Sequence, residues 1–376
     1  MDNQPVMTEN TPSADTQKGT LQSPQGHREK YAEWLRIIAA FTVVFQHTVT
    51  SAWYDTPVST PDFFVLTFLN SLTRFGVGVF IMISGAFMLS PKYPHPPRKI
   101  LKHNLTRIVA LIAFWVVFYG IVDALCVGIK NGAGIGETIV NVISAPVLLF
   151  TTPATHLWFL YVIAGLYLIT PALRVFTEHA SKNMVLYVIA IFFAFGLVFP
   201  TVNHLLGKWF EFTLYKNIGI RGCTTFAGFY LTGFYIAQYG LGKTARRLLY
   251  SAAAISWVVA LFYSTYISLL RDAPNEFFFG NFRPTTFLMA AGIFCLFRQK
   301  FGETTTQNEK FIFFSKCMLG VYIVHPLFIK SFYGLHLSIL IPHPIVTAPL
   351  MTVVFFGLSL YTVRLFRKIP GIRKIL

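Results

Sequence analysis

The run LRIIAAFTVVFQHTVTSAW (residues 35–53) decides the fold. Nineteen residues at ~1.5 Å of rise each nearly cross a hydrocarbon core about 30 Å thick, and Arg36 and His47 are the only ionisable side chains among them. At ~100° per residue, the eleven steps from Arg36 to His47 return to within about 20° of the starting direction. The two therefore share one helix face, with roughly 16 Å of axial rise between guanidinium and imidazole. Ionisable groups are costly in a bilayer, so each needs a partner, a watery cavity or a task. A cation near one surface with a titratable group three turns deeper suits a long anionic substrate whose reactive end reaches into the membrane.

Composition extends that reading outward. Of the 376 residues, 54% are hydrophobic and only 12% charged. Mean hydropathy is +0.57. These values belong to a polytopic membrane protein. The formal charge of +16 does not indicate nucleic-acid binding, because the basic residues are spread between apolar segments rather than clustered on one face. Residues 1–30, rich in Gln, Thr, Ser, Pro and Asp, read as a disordered cytoplasmic tail and not as a cleavable signal peptide, which leaves the first span as an uncleaved anchor. Cys126, Cys223, Cys295 and Cys317 lack metal-ligand spacing and read as packing residues.

Stretches of spanning length fall at about 34–53, 63–89, 104–127, 156–175, 183–201, 219–239, 247–270, 283–299, 310–332 and 344–366. Residues 134–150 are apolar but short, and read as an interfacial or re-entrant piece. With the N-terminus inside, the outer segments carry only Lys130, Lys208, Lys216 and Arg271, whereas every inner segment is basic. That alternation predicts an all-α protein of about ten transmembrane helices with both termini cytoplasmic, forming one membrane domain over 31–376.

Several further residues are candidates for chemistry. Arg36 could simply snorkel beside Glu33, one turn earlier, but His47 lies too deep for that. Arg74 sits near mid-depth in SLTRFGVGVFIMISGAFML (71–89), among glycines that allow close helix approach, and must face the protein interior. Arg107 opens the third span behind the basic run Arg98, Lys99, Lys102 and His103, which is either a topology signal or a funnel for phosphates. Towards the other surface lie His156, Arg221, Arg283 and His325, the last beside the helix-disrupting Pro326. No metal-ligand spacing, Walker loop or nucleophile elbow is present.

In order and spacing, EWLRIIAAFTVVFQH (33–47), RFGVGVFIMISGAFML (74–89), HLWFLYVIAGLYLITP (156–171), SKCMLGVYIVHPLF (315–328) and RKIPGIRKIL (367–376) resemble the acyltransferase-3 family of integral membrane acyltransferases. The likeness is strongest to its stand-alone members that O-acetylate surface polysaccharides. Arg36 and His47 match the family's Arg/Lys-x10-His signature, and Arg74 with Ser84-Gly85 matches its second-span pattern. Two departures stand out: Glu33 replaces a common Asp, and Asn104 replaces the first arginine of an Arg-x-x-Arg of which Arg107 remains.

The resemblance implies transfer of an acyl group, chiefly acetyl from cytoplasmic acyl-CoA, to a hydroxyl of a cell-surface or lipid-linked glycan at the outer face of a bacterial inner membrane. Arg36 and Arg107, with Glu33 and Ser84 nearby, would form the donor-binding set, and no metal is expected. His47 would serve as general base or as transient acyl carrier, with Arg74 orienting it or stabilising charge. His325, and less directly His156, would stand on the acceptor side. The partners so implied are the glycan acceptor and membrane lipids. The competing reading is a transporter or flippase for a lipid-linked glycan or another anion, disfavoured by the lack of an inverted repeat and the scarcity of buried carboxylates for ion coupling.

Overall fold

The computed structural model describes residues 28–131, 135–144, 155–207 and 221–371. Within them the chain is helical, apart from a two-residue antiparallel bridge in which Arg28 faces Thr306 and Glu29 faces Thr305. The expected tail therefore lies outside the described residues, except for its last three positions. Those three lead into the first helix: Arg28 and Glu29 form one side of the bridge, and Lys30 starts the helix.

Among the described residues, seven helical segments are long and apolar enough to cross a membrane. They are α1 (Lys30–Trp53), the α2 (Pro61–Ser71) and α3 (Gly76–Met88) pair, α4 (Thr106–Asn131) with the turns leading into it, α6 (Trp158–His179), the α7 (Lys182–Phe193) and α8 (Phe199–Leu206) pair, α10 (Lys243–Arg271) and α14 (Pro344–Phe366). An eighth is the bent pair α12 (Glu309–Lys316) and α13 (Met318–Gly334), which turn by 51° at their junction.

The stretches read as spans at 219–239 and 283–299 are also helices, α9 (Arg221–Tyr239) and α11 (Pro284–Phe301), but they are less apolar. Their position explains this. Residues 225–236 of α9 are buried without interruption, so protein rather than lipid surrounds them, and Thr, Gly and Tyr are tolerated there. The reverse holds for α10 and α14, whose Leu248, Ile255, Phe262, Val346, Leu350 and Val353 are exposed, as lipid-facing side chains are. The short apolar piece at 134–150 contains a ten-residue helix, α5 (Ile135–Ser144), too short to span; its remainder lies outside the described residues.

Two features of the fold position the site. The first is close packing of α3 against α9. A Cβ at Gly85 would come within 1.9 Å of the Tyr230 carbonyl oxygen, and one at Gly233 within 2.0 Å of the Met82 carbonyl oxygen, so the backbones meet directly at both glycines. The second is a break in the second span. Pro61 at the first turn and the Thr60 hydroxyl, which accepts from the Phe63 N–H at 3.4 Å, start α2. The helix then stops at Ser71, and α3 begins only at Gly76. Irregular backbone inside a membrane persists where it is buried in protein or lines a cavity. Arg74 sits in this break, not within a continuous helix as its sequence context suggests.

The described cysteine side chains, Cys295 and Cys317, are buried free thiols, as expected of packing residues. The side chains of Cys126 and Cys223 lie outside those described.

Candidate active site

At the end of the bundle where α1 begins, a cavity of about 330 Å³ opens between α1, α3, α4, α6 and the α12–α13 junction. Arg28, Arg36, Arg107 and Lys316 line it on the charged side, and Phe80, Ile83, Phe87, Leu160 and Ile163 on the apolar side. Glu33 organises the charge. Its carboxylate is buried and accepts from Arg36 Nη1 at 2.5 Å and from Arg28 Nη1 at 3.2 Å. One acid thus holds two guanidiniums, leaving the cavity mouth with net positive charge.

Arg36 also lies over the Phe87 ring, 5.3 Å from its centroid. Arg28 is fixed from the other side by the bridge to Thr306 and by Glu29, which accepts from Lys92 Nζ at 2.8 Å and from the Tyr93 hydroxyl at 2.9 Å. Burial lowers the Arg28 pKa from its ordinary value; Glu33 opposes this, and the like charge of Arg36 adds to it. Ser84 and Tyr167 stand on the cavity wall. Arg36 thus pairs with Glu33, and Arg36, Ser84 and Arg107, named together from the sequence, line the same cavity. Arg98, Lys99, Lys102 and His103 are exposed and do not line this cavity, so of that run only Arg107 reaches it.

Three turns along α1, His47 meets two other imidazoles. Its ring centroid is 5.1 Å from that of His325, and His325 is 6.4 Å from His156. His325 is fully buried and His156 nearly so, while His47 keeps partial accessibility. Aromatic residues hold the trio in place. Tyr119 packs edge-on against His156 at 4.5 Å and donates to the Ile323 carbonyl at 2.6 Å, and Tyr322 donates to the His156 carbonyl. Pro326 has no N–H to give the Tyr322 carbonyl, which loosens the α13 hydrogen-bond ladder beside His325. His325 Nδ1 lies 3.3 Å from the Val321 carbonyl oxygen. The Nε2 atoms of His325 and His156 are buried without a protein partner. Buried polar nitrogens of this kind are normally satisfied. Among the described residues, no group of three His, Cys, Asp or Glu could hold a metal ion.

The cavity and the histidines are connected by side chains. Phe80 and Phe159 line the cavity, 5.8 Å apart. Phe159 packs on Tyr322 at 5.4 Å, and Tyr322 lies 6.1 Å from His325. His47 itself is not part of the cavity lining.

Arg74 approaches the same face of α1 from the broken span. Its Nη2 donates to Asn70 Oδ1 at 2.5 Å and its Nη1 to the Phe279 carbonyl at 3.4 Å, with the guanidinium over the Phe279 ring at 4.6 Å. It lies close enough to His47 to act on it electrostatically. Arg28, Lys316 and Asn70 escaped the sequence reading. Arg28 reads as an ordinary topology charge and Lys316 as one basic residue near the inner end of its span, and only Asn70, one turn before Arg74, carried a local signal. Arg283 stacks on Phe277 at 3.6 Å, bonds that residue's carbonyl, and so braces the loop before α11. The Arg221 side chain lies outside those described.

Fold and site together define a multi-pass membrane protein with a cationic cavity at one end and an imidazole cluster inside the bundle. Residues 29–364 match the family model described as "Acyltransferase domain", and the chain belongs to this acyltransferase-3 family. It is accordingly a membrane acyltransferase. No curated protein and no solved structure matches the chain.

Proposed function

We propose that the protein moves an acyl group, chiefly acetyl, from cytoplasmic acyl-CoA to a hydroxyl of a cell-surface or lipid-linked glycan at the outer face of a bacterial inner membrane. The observation that carries this reading is the arrangement along α1: a cluster of cations around Glu33 at one end, and His47 among unpartnered imidazoles three turns away. Phosphates of the donor would be held by Arg36 and Arg107, with Arg28 and Lys316 beside them, through charge-assisted hydrogen bonds. The apolar wall of Ile83, Phe87, Leu160 and Ile163 suits an extended, largely uncharged arm leading inward. The thioester would then meet His47 once the Phe80 and Phe159 rings swing aside.

His47 acts as general base, taking the proton of the acceptor hydroxyl as its oxygen attacks the thioester carbonyl, and returning that proton to the departing thiolate. His325 and His156 face the acceptor. The cluster orders the acceptor hydroxyl against the base, which is where the rate advantage of holding two reactants together arises.

Purified protein given radiolabelled acetyl-CoA and a candidate saccharide tests the reading. Transfer of label that depends on His47 supports it, and undiminished transfer by His47→Ala removes that residue from the chemistry. Label that remains on the protein after donor is washed away, in the absence of acceptor, would replace the general-base route with a covalent one.

A further inference from the structure

Two further polar atoms are buried without a partner beside the histidines: Arg74 Nε and Asn70 Nδ2. Asn70 is wholly buried and Arg74 is 6% exposed. The oxygen of the Asn70 amide is fully used, accepting from Arg74 Nη2 at 2.5 Å and from the Thr50 hydroxyl at 3.2 Å. Those two bonds fix the amide plane and turn its NH2 group away from both donors. The same bond to Arg74 fixes the guanidinium, whose Nε–H lies on the edge adjoining Nη2. Thr50 is three residues beyond His47 on α1, so it shares that face one turn further along. Arg74 in the break, and Asn70 one turn before it in α2, therefore place two buried N–H donors, one of them cationic, where the second span meets α1 at Thr50. Buried donors are normally satisfied, and an acceptor that arrives during turnover would satisfy these two.

We propose that Asn70 is a second catalytic donor, acting with Arg74 to receive the oxyanion that forms on the acyl carbonyl; the proposal rests on the transfer chemistry assigned above to His47. The step balances as follows. The acceptor hydroxyl oxygen bonds to the acyl carbon, its proton passes to His47, and the carbonyl π pair moves onto the carbonyl oxygen. That oxygen gains full negative charge and accepts from Asn70 Nδ2 and Arg74 Nε. When the pair returns, the carbon–sulfur bond breaks, and the thiolate takes the proton from His47. Donors already in place and shielded from water need no reorganisation at this moment, and removing one such donor commonly costs about 10²–10³ in kcat.

The test uses the full chain in membrane vesicles that carry native acceptors, with radiolabelled acetyl-CoA as donor and label in the saccharide fraction as readout. Asn70→Asp keeps the shape and both acceptor contacts while deleting the N–H donors, and Asn70→Ala removes the whole amide. The expected result is a fall in kcat of about 10²–10³ in both variants, with the KM for acetyl-CoA within about threefold of the wild type. A kcat within about threefold of wild type in either variant would overturn the proposal. So would a parallel loss of kcat and of acetyl-CoA binding, which is what a merely structural amide produces. His47→Ala separates the two levels of the argument. Activity lost in His47→Ala but kept in Asn70→Asp sinks only this inference; activity kept in His47→Ala sinks the reading beneath it.

Discussion

The two ends of the α1 face treat their charges in opposite ways. At the cavity mouth, Arg28 and Arg36 share a buried carboxylate and stay partly accessible, with side-chain exposures of 38% and 24%. Around His47, the polar groups include imidazoles, an amide and Arg74, and among the described residues no carboxylate hydrogen-bonds any of them; instead Arg74 Nε, Asn70 Nδ2 and the Nε2 atoms of His156 and His325 go unpaired. A paired and accessible cation is suited to holding a charged ligand that arrives from water. An unpaired, dehydrated donor is suited to charge that exists only briefly, because in a low-dielectric interior such interactions are strong and need no rearrangement. Under the proposed function, the first region would supply affinity and the second rate.

Substitutions can break that division or sharpen it. His325→Ala should lower acyl transfer by on the order of 10²-fold without changing donor affinity, read as kcat and KM for acetyl-CoA; a change confined to KM would blur the boundary between the regions. Arg28→Ala should weaken donor binding by about tenfold, the loss of one charge-assisted hydrogen bond, and leave kcat nearly unchanged. The same measurement in rising salt should raise the donor KM of the wild type more steeply than that of Arg28→Ala, because the partly accessible mouth is open to screening.

Gly85→Ala probes the scaffold common to both regions. With a Cβ forced to within 1.9 Å of the Tyr230 carbonyl, α3 and α9 must separate, which should cost about 1–3 kcal/mol in thermal unfolding and lower kcat and affinity together. The smallest effect is expected at Lys330, whose 3.2 Å pair with Asp123 is more than half exposed on both sides; Lys330→Ala should shift stability by less than about 1 kcal/mol and transfer not at all.

How much of this was legible in the sequence follows from what is local and what is not. The common face of Arg36 and His47 depends only on helix periodicity, and the Glu33–Arg36 pair only on a spacing of three, so both could be read directly. Ser84 and Arg107 could be placed at the correct end because charge alternation ordered the spans. The meeting of His47 with His325 and His156 joins residues more than a hundred positions apart, and no local pattern encodes those contacts. Arg28 was hidden for another reason. It reaches the cavity through a two-residue bridge to Thr306, which leaves no periodic trace. The break at Arg74 was likewise invisible, since Ser71–Phe75 contains no proline and reads as continuous helix. The lower hydropathy of α9 and α11 did not hide them, since both stretches read as helices and both are helices, and in α9 it accompanies unbroken burial over residues 225–236.

Paired measurement of acetyl-CoA affinity and single-turnover acyl transfer on Arg36→Ala and His47→Ala tests the division of labour most directly. The account predicts a crossed result. Arg36→Ala should bind donor about 10–100-fold more weakly yet transfer at near the wild-type rate once saturated, while His47→Ala should bind donor normally and transfer at least about 10²-fold more slowly. Equal losses of affinity and rate in both variants would contradict it.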